Sequence, residues 1–256
     1  MRIVIKVGTS TLAHPTGMLN IRQTEKLAKV ISDLKNSGHE IILVSSGAIG
    51  MGVGKLSLPE RPTDIPTKQA AAAVGQCELM YVYDKLFGEY HHTVAQILLT
   101  ADDFEDGEKN KNFTNTLKRL LQLGALPVIN ENDTVSTAEL GIGDNDTLSA
   151  LTAIGAGADL LVILSDIDGL YTADPHKDGS AELIPTVEDM GEYIMSLGEG
   201  SSTSLGTGGM KTKLAAASLV TEHGIDMVIC NGKRPEALYT VCAGGSVGTR
   251  FRGKKK

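Results

Sequence analysis

The sequence contains no tryptophan, six tyrosines and four phenylalanines in 256 residues, and its 24 Lys+Arg are outnumbered by 31 Asp+Glu for a net charge of −7. That shortage of basic and stacking groups excludes a nucleic-acid surface of the usual kind. Cys77, Cys230 and Cys242 are odd in number, widely separated and without CxxC spacing. They predict neither a disulfide framework nor a zinc site, but reduced thiols serving as small core residues in a cytoplasmic protein. The six histidines show no HxxxH or HExxH pattern, so no zinc is expected from them either. No apolar run reaches the ~18 residues of a membrane span, and the amino terminus enters a charged strand rather than a signal peptide. Two phosphate-binding signatures are also missing. There is no G-x-x-x-x-G-K-[ST], and no G-x-G-x-x-G follows the first apolar segment.

What is present is a soluble composition, 41% hydrophobic, which rules out disorder as the main state. The length suits one large α/β domain or two small ones. Glycine supplies 29 residues, about 11% where ~7% is usual. Apolar, β-branched runs predict strands at Arg2–Val7, Glu40–Val44, Thr93–Leu98, Leu126–Ile129, Asp159–Leu164 and Met227–Cys230. Between them, 3.6-residue periodicity predicts helices from Asn20 to Ser37, Thr67 to Tyr90, Lys111 to Leu123, Asp144 to Gly155 and Met210 to His223. Such alternation implies parallel strands, right-handed crossovers and helices on both faces. In such sheets ligands bind at the carboxyl ends of the strands.

The glycine clusters fall at those ends. Lys6-Val7-Gly8-Thr9-Ser10 closes the first strand. A lysine within an apolar strand is costly unless its ammonium reaches an anion or water. The turn after it offers N–H and hydroxyl donors to a phosphate; a snorkelling edge lysine is the alternative. Ser45-Ser46-Gly47-Ala48-Ile49-Gly50 repeats this arrangement after the second strand, and Gly206-Thr207-Gly208-Gly209-Met210-Lys211-Thr212-Lys213 opens a helix with Lys213 one turn beyond Gly209. The acidic half lies mid-chain, in Asn130-Glu131-Asn132-Asp133 and in Asp144-Asn145-Asp146. Asp144 suits a helix N-cap, but the group exceeds what capping requires and can receive a ligand's ammonium, or a metal, and orient nearby lysines. Ser165-Asp166 ends another strand, where a nucleotide's base and ribose would sit.

These segments resemble the amino-acid kinase family, and within it the members that phosphorylate the side-chain carboxylate of L-glutamate. The resemblance runs from Lys6 to Phe251 through IKVGTS, VSSGAIGMG, AAVGQ, PVINENDTV, GDNDTLSA, DIDGLYTADP, GTGGMKTK and GTRF. Siblings acting on N-acetylglutamate, aspartate, carbamate or UMP share the glycine-lysine logic without combining NENDTV, GDND and GTGGMKTK. The resemblance implies a three-layer αβα sandwich around a mainly parallel sheet, spanning residues 1–251. The glutamate site would lie mainly in the N-terminal part and the nucleotide site mainly within 160–251, with 252–256 a basic tail and no C-terminal PUA domain. It implies ATP and Mg²⁺ with the metal carried mainly by ATP, proline as feedback inhibitor, a homodimer or homotetramer, and coupling to glutamyl-phosphate reductase. By position, Lys6 and Lys213 would flank the transferred phosphoryl group and Asp146 would orient them. Ser46, Gly47, Asp133, Asp144 and Asn145 would hold glutamate. Lys6, Gly8, Ser165, Asp166 and the run Thr207, Gly208, Gly209, Met210, Lys211, Thr212 and Lys213 would hold the nucleotide. The chain departs from the family with Ser165 for a threonine and His176 for an arginine. A sibling kinase with another carboxylate or carbamate acceptor, or a silent nucleotide-binding regulator, is the alternative.

Overall fold

A computed structural model describes residues 1–14, 16, 18–136, 144–175, 177–198 and 209–254. The strands are β1 (Arg2–Val7), β2 (Glu40–Ser45), β3 (Val94–Leu99), β4 (Leu126–Glu131), β5 (Leu160–Ser165), β6 (Thr186–Val187), β7 (Asp226–Asn231) and β8 (Thr249–Phe251). The helices are α1 (Thr9–Leu12), α2 (Ile21–Asn36), α3 (Ala48–Lys55), α4 (Ile65–Gly88), α5 (Asp102–Glu105), α6 (Gly107–Gln122), α7 (Asn145–Ala156), α8 (Glu192–Ser196), α9 (Met210–Glu222) and α10 (Ala237–Cys242). The strands form one sheet in the order β3-β4-β2-β1-β5-β7-β8-β6. All neighbours are parallel except β7 and β8.

Strand alternation sorts the core into two layers. Ile3, Ile5 and Val7 of β1 join Leu27, Ile31 and Leu34 of α2 and Leu79, Tyr83 and Phe87 of α4. Val4 faces the other way, with Leu117 of α6, Leu148 and Ala153 of α7 and Leu214 and Ala217 of α9. Successive side chains of a strand point to opposite faces, so Lys6 is on the Val4 side, beneath α7 and α9. By the same rule Ser45 and Asn130 face α2 and α4, with Leu43 and Val128. The chain builds β2, β3 and β4 to one side of β1 and then crosses to β5 on the other. The crevice beyond the ends of β1 and β5 is therefore the switch point at which such sheets bind ligands.

Side-chain caps start four of the described helices, α2, α4, α6 and α7, and explain two differences from the periodicity. Asn20 accepts from Gln23 N at 3.2 Å to start α2. Asp64 accepts from Thr67 N at 2.9 Å, and with Pro66 in the first turn this starts α4 two residues before Thr67. Asp106 accepts from Glu108 N and Lys109 N at 2.9 and 3.1 Å, extending α6 upstream of Lys111 across polar residues that carry no apolar stripe. Periodicity also missed β6 and β8, which are only two and three residues long. Cys230 is buried as expected, but Cys77 is exposed on α4 and Cys242 is half-buried. The helix α4 turns its other face to the core, through Gly75, Leu79 and Tyr83. Helices α3 and α4 meet backbone to backbone: a Cβ on Gly52 would collide with the Ala71 carbonyl, and one on Gly75 with the Ala48 carbonyl. None of the helices among the described residues is long and apolar enough to cross a membrane.

Candidate active site

A cleft of about 200 Å³ opens at the carboxyl ends of β1, β2, β4 and β5. Lys6, Gly8, Ser46, Gly47, Asp133, Asp144, Asn145, Ser165, Asp166 and Lys213 all line it. Ten of the expected residues, spread over more than two hundred positions of sequence, thus meet in one place. Asp146 lies directly beneath, its carboxylate fully buried.

That carboxylate organises the floor. Lys6 Nζ is 2.7 Å from Asp146 Oδ1 and Lys213 Nζ is 3.2 Å from Oδ2. Thr212 Oγ1 stands 2.8 Å from both Asp146 Oδ2 and the Gly209 carbonyl, with one proton to share between them. Lys213 also leans back to the Gly209 carbonyl at 3.4 Å, as its position one turn into α9 requires. Burial by itself would push the Asp146 carboxyl up; Lys6 and Lys213 outweigh it and hold the group below the usual carboxylate range. Each ammonium carries three protons, and Lys213 directs its own to Asp146 Oδ2 and the Gly209 carbonyl while both tips border the cleft.

The opposite wall is acidic. Burial, aided by the neighbouring Glu131, raises the Asp133 carboxyl to about 6. Asp144 does cap α7, its Oδ1 accepting from Asp146 N at 2.7 Å and Thr147 N at 2.9 Å. Asp144 therefore caps the helix and lines the cleft at once, its two cap bonds both falling on Oδ1. Burial raises its pKa despite those two bonds. Asn145 Nδ2 donates within a tight set of acceptors: Ser46 Oγ at 2.8 Å, Asn130 Oδ1 at 2.9 Å and the Ser45 carbonyl at 3.2 Å. At the strand end beside β1, Ser165 Oγ donates to Asp166 Oδ1 at 3.2 Å. Gly47, at φ +111°, turns the chain from β2 into α3, a backbone state that a side chain would strain.

The remaining expectations divide. Gly209, Met210, Lys211 and Thr212 open α9 without lining the cleft; Met210 packs into the core, and Lys211 points outward. Thr207, Gly208 and His176 lie outside the described residues. Arg61, which the motifs did not single out, lines the rim. Its only sequence signal is an arginine in the proline-punctuated connection Leu58-Pro59-Glu60-Arg61-Pro62 between two helices.

Residues 1–231 match the sequence pattern of the Amino acid kinase family. The chain belongs to the amino acid kinase family. Relatives of this kinase include proteins named glutamate 5-kinase. That of Clostridium perfringens (strain 13 / Type A) is 49% identical over 258 residues, covering 99% of this chain and 96% of the relative. That of Clostridium acetobutylicum is 51% identical, covering 100% and 96%. That of Caldanaerobacter subterraneus subsp. tengcongensis is 51% identical over 98% of this chain but only 68% of itself. Among solved structures, carbamate kinase from Giardia lamblia superposes with a TM-score of 0.72 at 16% identity, covering 99% of this chain and 98% of that one. UMP kinase from Bacillus anthracis gives 0.67 at 15%, covering 99% and 96%. At those identities the likeness speaks for the fold alone, and it agrees with the mainly parallel sheet between helical layers.

Proposed function

We propose that this amino acid kinase transfers the γ-phosphoryl group of ATP to the side-chain carboxylate of L-glutamate, giving L-glutamyl 5-phosphate, the first step of proline synthesis. Relatives named glutamate 5-kinase, at about half identity over nearly the whole chain, support the substrate. The observation that carries the reading is the Lys6–Asp146–Lys213 clamp on the floor of a cleft whose other wall is acidic.

A glutamate side chain has a pKa near ~4.3, so the nucleophile is ionised at pH 7 and needs no base. The obstacle is the approach of one anion to another. A carboxylate oxygen attacks the γ-phosphorus, the bond to the β,γ-bridging oxygen breaks, and its electron pair leaves with ADP. Throughout, the Lys6 and Lys213 ammonium groups take charge from the phosphoryl oxygens, and Asp146 keeps both tips in place before substrate arrives. Gly8 lets the chain approach the phosphates, and Ser165 and Asp166 face the nucleotide's base and ribose, with Lys213 reaching that subsite from the first turn of α9. On the other wall, Asp133, Asp144 and the Asn145 carbonyl oxygen receive the substrate's ammonium. Ser46, accepting from Asn145, keeps its own proton for a substrate oxygen beside the Gly47 turn. Arg61 adds a cation on the rim, suited to the α-carboxylate.

The two subsites divide the chain within residues 1–251, acceptor residues mainly before 160 and nucleotide residues mainly after, with 252–256 as a basic tail. Among the described residues no three His, Cys, Asp or Glu groups converge to hold a metal ion. Mg²⁺ would come bound to ATP, where it offsets triphosphate charge. Feedback by proline, a homodimer or homotetramer, a cytoplasmic location and hand-over of the labile acyl phosphate to glutamyl-phosphate reductase complete the reading.

The test is Mg·ATP turnover with L-glutamate, N-acetylglutamate, aspartate and carbamate, trapping acyl phosphate with hydroxylamine. Hydroxamate from L-glutamate well above the others is expected. Preference for another acceptor, or nucleotide binding without turnover, would overturn the proposal.

A further inference from the structure

Behind the acidic wall runs a buried chain of amides that ends on a residue outside the cleft. Gln76, in the middle of α4, is only 7% exposed. Strand alternation turns Asn130 of β4 toward it, and Asn130 Nδ2 donates to Gln76 Oε1 at 2.9 Å. Asn130 Oδ1 accepts from Glu131 N at 2.9 Å and from Asn145 Nδ2 at 2.9 Å.

An amide's oxygen and nitrogen have nearly the same shape, so only their partners decide which way the group points. Both ends of this chain are pinned by backbone groups with a single role. The Glu131 N–H can only donate, so Asn130 must present its oxygen there, which turns its nitrogen toward α4. The Ser45 carbonyl can only accept, so Asn145 must present its nitrogen inward, which leaves its oxygen for the cleft. Gln76 Oε1 receives the one amide nitrogen that this arrangement buries against a helix. Gln76 Nε2, by contrast, is buried with no hydrogen-bond partner among the described residues. A buried donor without a partner is unfavourable, so the glutamine is held in place for its oxygen.

We infer that Gln76 is a positioning residue that satisfies the buried Asn130 nitrogen, so that the Asn130–Asn145 relay holds the polarity its backbone ends require and keeps the Asn145 side-chain oxygen presented to the ammonium group of the amino-acid substrate. The inference rests on the acceptor proposed above. Without the Gln76 oxygen, Asn130 Nδ2 is stranded, and Asn130 can satisfy it only by giving up Glu131 N or Asn145. Either loosens the acceptor subsite and leaves the clamp untouched, since Asp146 reaches Lys6 and Lys213 from the far side of α7's first turn.

The decisive variants are Gln76→Leu and Gln76→Glu. Leucine fills similar volume without an acceptor. Glutamate keeps the acceptor and loses only a nitrogen that makes no bond. Gln76→Leu is expected to raise KM for L-glutamate roughly tenfold, the factor given by about 1.4 kcal/mol, with KM for ATP within twofold. It should also narrow the preference for L-glutamate over glutarate, which lacks the ammonium. Gln76→Glu should restore both readouts. A packing role predicts the reverse, with leucine tolerated and a buried carboxyl harmful, and that result would overturn the inference. So would an unchanged KM in Gln76→Leu, or equal damage in both variants. Should Gln76→Leu be recovered unfolded, Gln76→Met, also without an acceptor, carries the same readouts. Wild-type enzyme inactive on L-glutamate would overturn the acceptor and the inference together; active wild type with an unaffected Gln76→Leu overturns the inference alone.

Discussion

Replacing Asp146 by asparagine tests the organisation of the floor most directly. The change keeps shape and removes one charge from a carboxylate that is fully buried between two ammonium groups, 2.7 and 3.2 Å away on opposite oxygens. At an effective dielectric of ~20, two like charges brought to within about 6 Å of each other repel by about 3 kcal/mol. Removing one partner of a buried ionic group typically costs ~3–5 kcal/mol, of the same order. Asp146→Asn should therefore lower the free energy of unfolding by about 3 kcal/mol at pH 7, a large share of the ~5–15 kcal/mol of a typical domain. Urea denaturation followed by circular dichroism measures it. The pH dependence has a definite sign. The Asp146 carboxyl is held below its unfolded value, so its contribution is fully present above pH ~4 and is lost as pH falls through the depressed native value. The stability gap between wild type and variant should be flat above pH ~4 and close below it. Catalysis should separate from binding: kcat falls because the lysine tips splay, while KM for ATP does not rise because the cleft has become more positive. Wild-type stability at pH 7, or wild-type kcat in a folded variant, would refute the reasoning.

Lys6→Ala and Lys213→Ala should each lower kcat by about 10²-fold or more, from the ~2.7–4 kcal/mol of losing one transition-state donor; near wild-type turnover in both removes the clamp mechanism. Asp133→Ala should mainly raise KM for L-glutamate and spare that for ATP, and the converse would reverse the two subsites. Because Asp133 titrates at about 6, wild-type kcat/KM for L-glutamate should drop below that pH, a dependence absent in Asp133→Asn. A carboxyl raised in the native state weakens folding as pH climbs from ~4 through ~6, so Asp133→Asn should be the more stable protein at pH 7 and equal to wild type near pH 4. Gly75→Ala places a Cβ against the Ala48 carbonyl; overpacking of this kind costs ~1–3 kcal/mol, and an unchanged urea midpoint would show that α3 and α4 can part cheaply.

The six long strands were legible because strands covered on both faces are almost wholly apolar, and the five longest helices because their buried stripes repeat every 3.6 residues; the short helices α1, α3, α5, α8 and α10 were not delimited. The ends were less so. The α6 start depends on an Asp106 cap amid polar residues, and β8 is three residues paired antiparallel to β7, too short for any period to show. Cys77 was misplaced because residue type sets a preference for burial, while the rotation of α4 decides it for each position. Met210 is similar: it belongs to a glycine-rich motif, but its side chain serves the core.

Local sequence was enough to determine that Lys6 ends a strand, that Gly47 turns the chain from strand to helix, that Asp144 caps α7 and that Lys213 leans back over Gly209, since each follows from residues within about one turn. Only the tertiary structure decided that Lys6, Asp146 and Lys213 share one carboxylate, since this needs β1 beside β5 and the starts of α7 and α9 over the same sheet face. Nor could the sequence disclose that Gln76 reaches the site through Asn130, or that Arg61 stands on its rim. Chain periodicity specifies which way a side chain points from its own element; which group it then meets depends on how distant elements are ordered across the sheet.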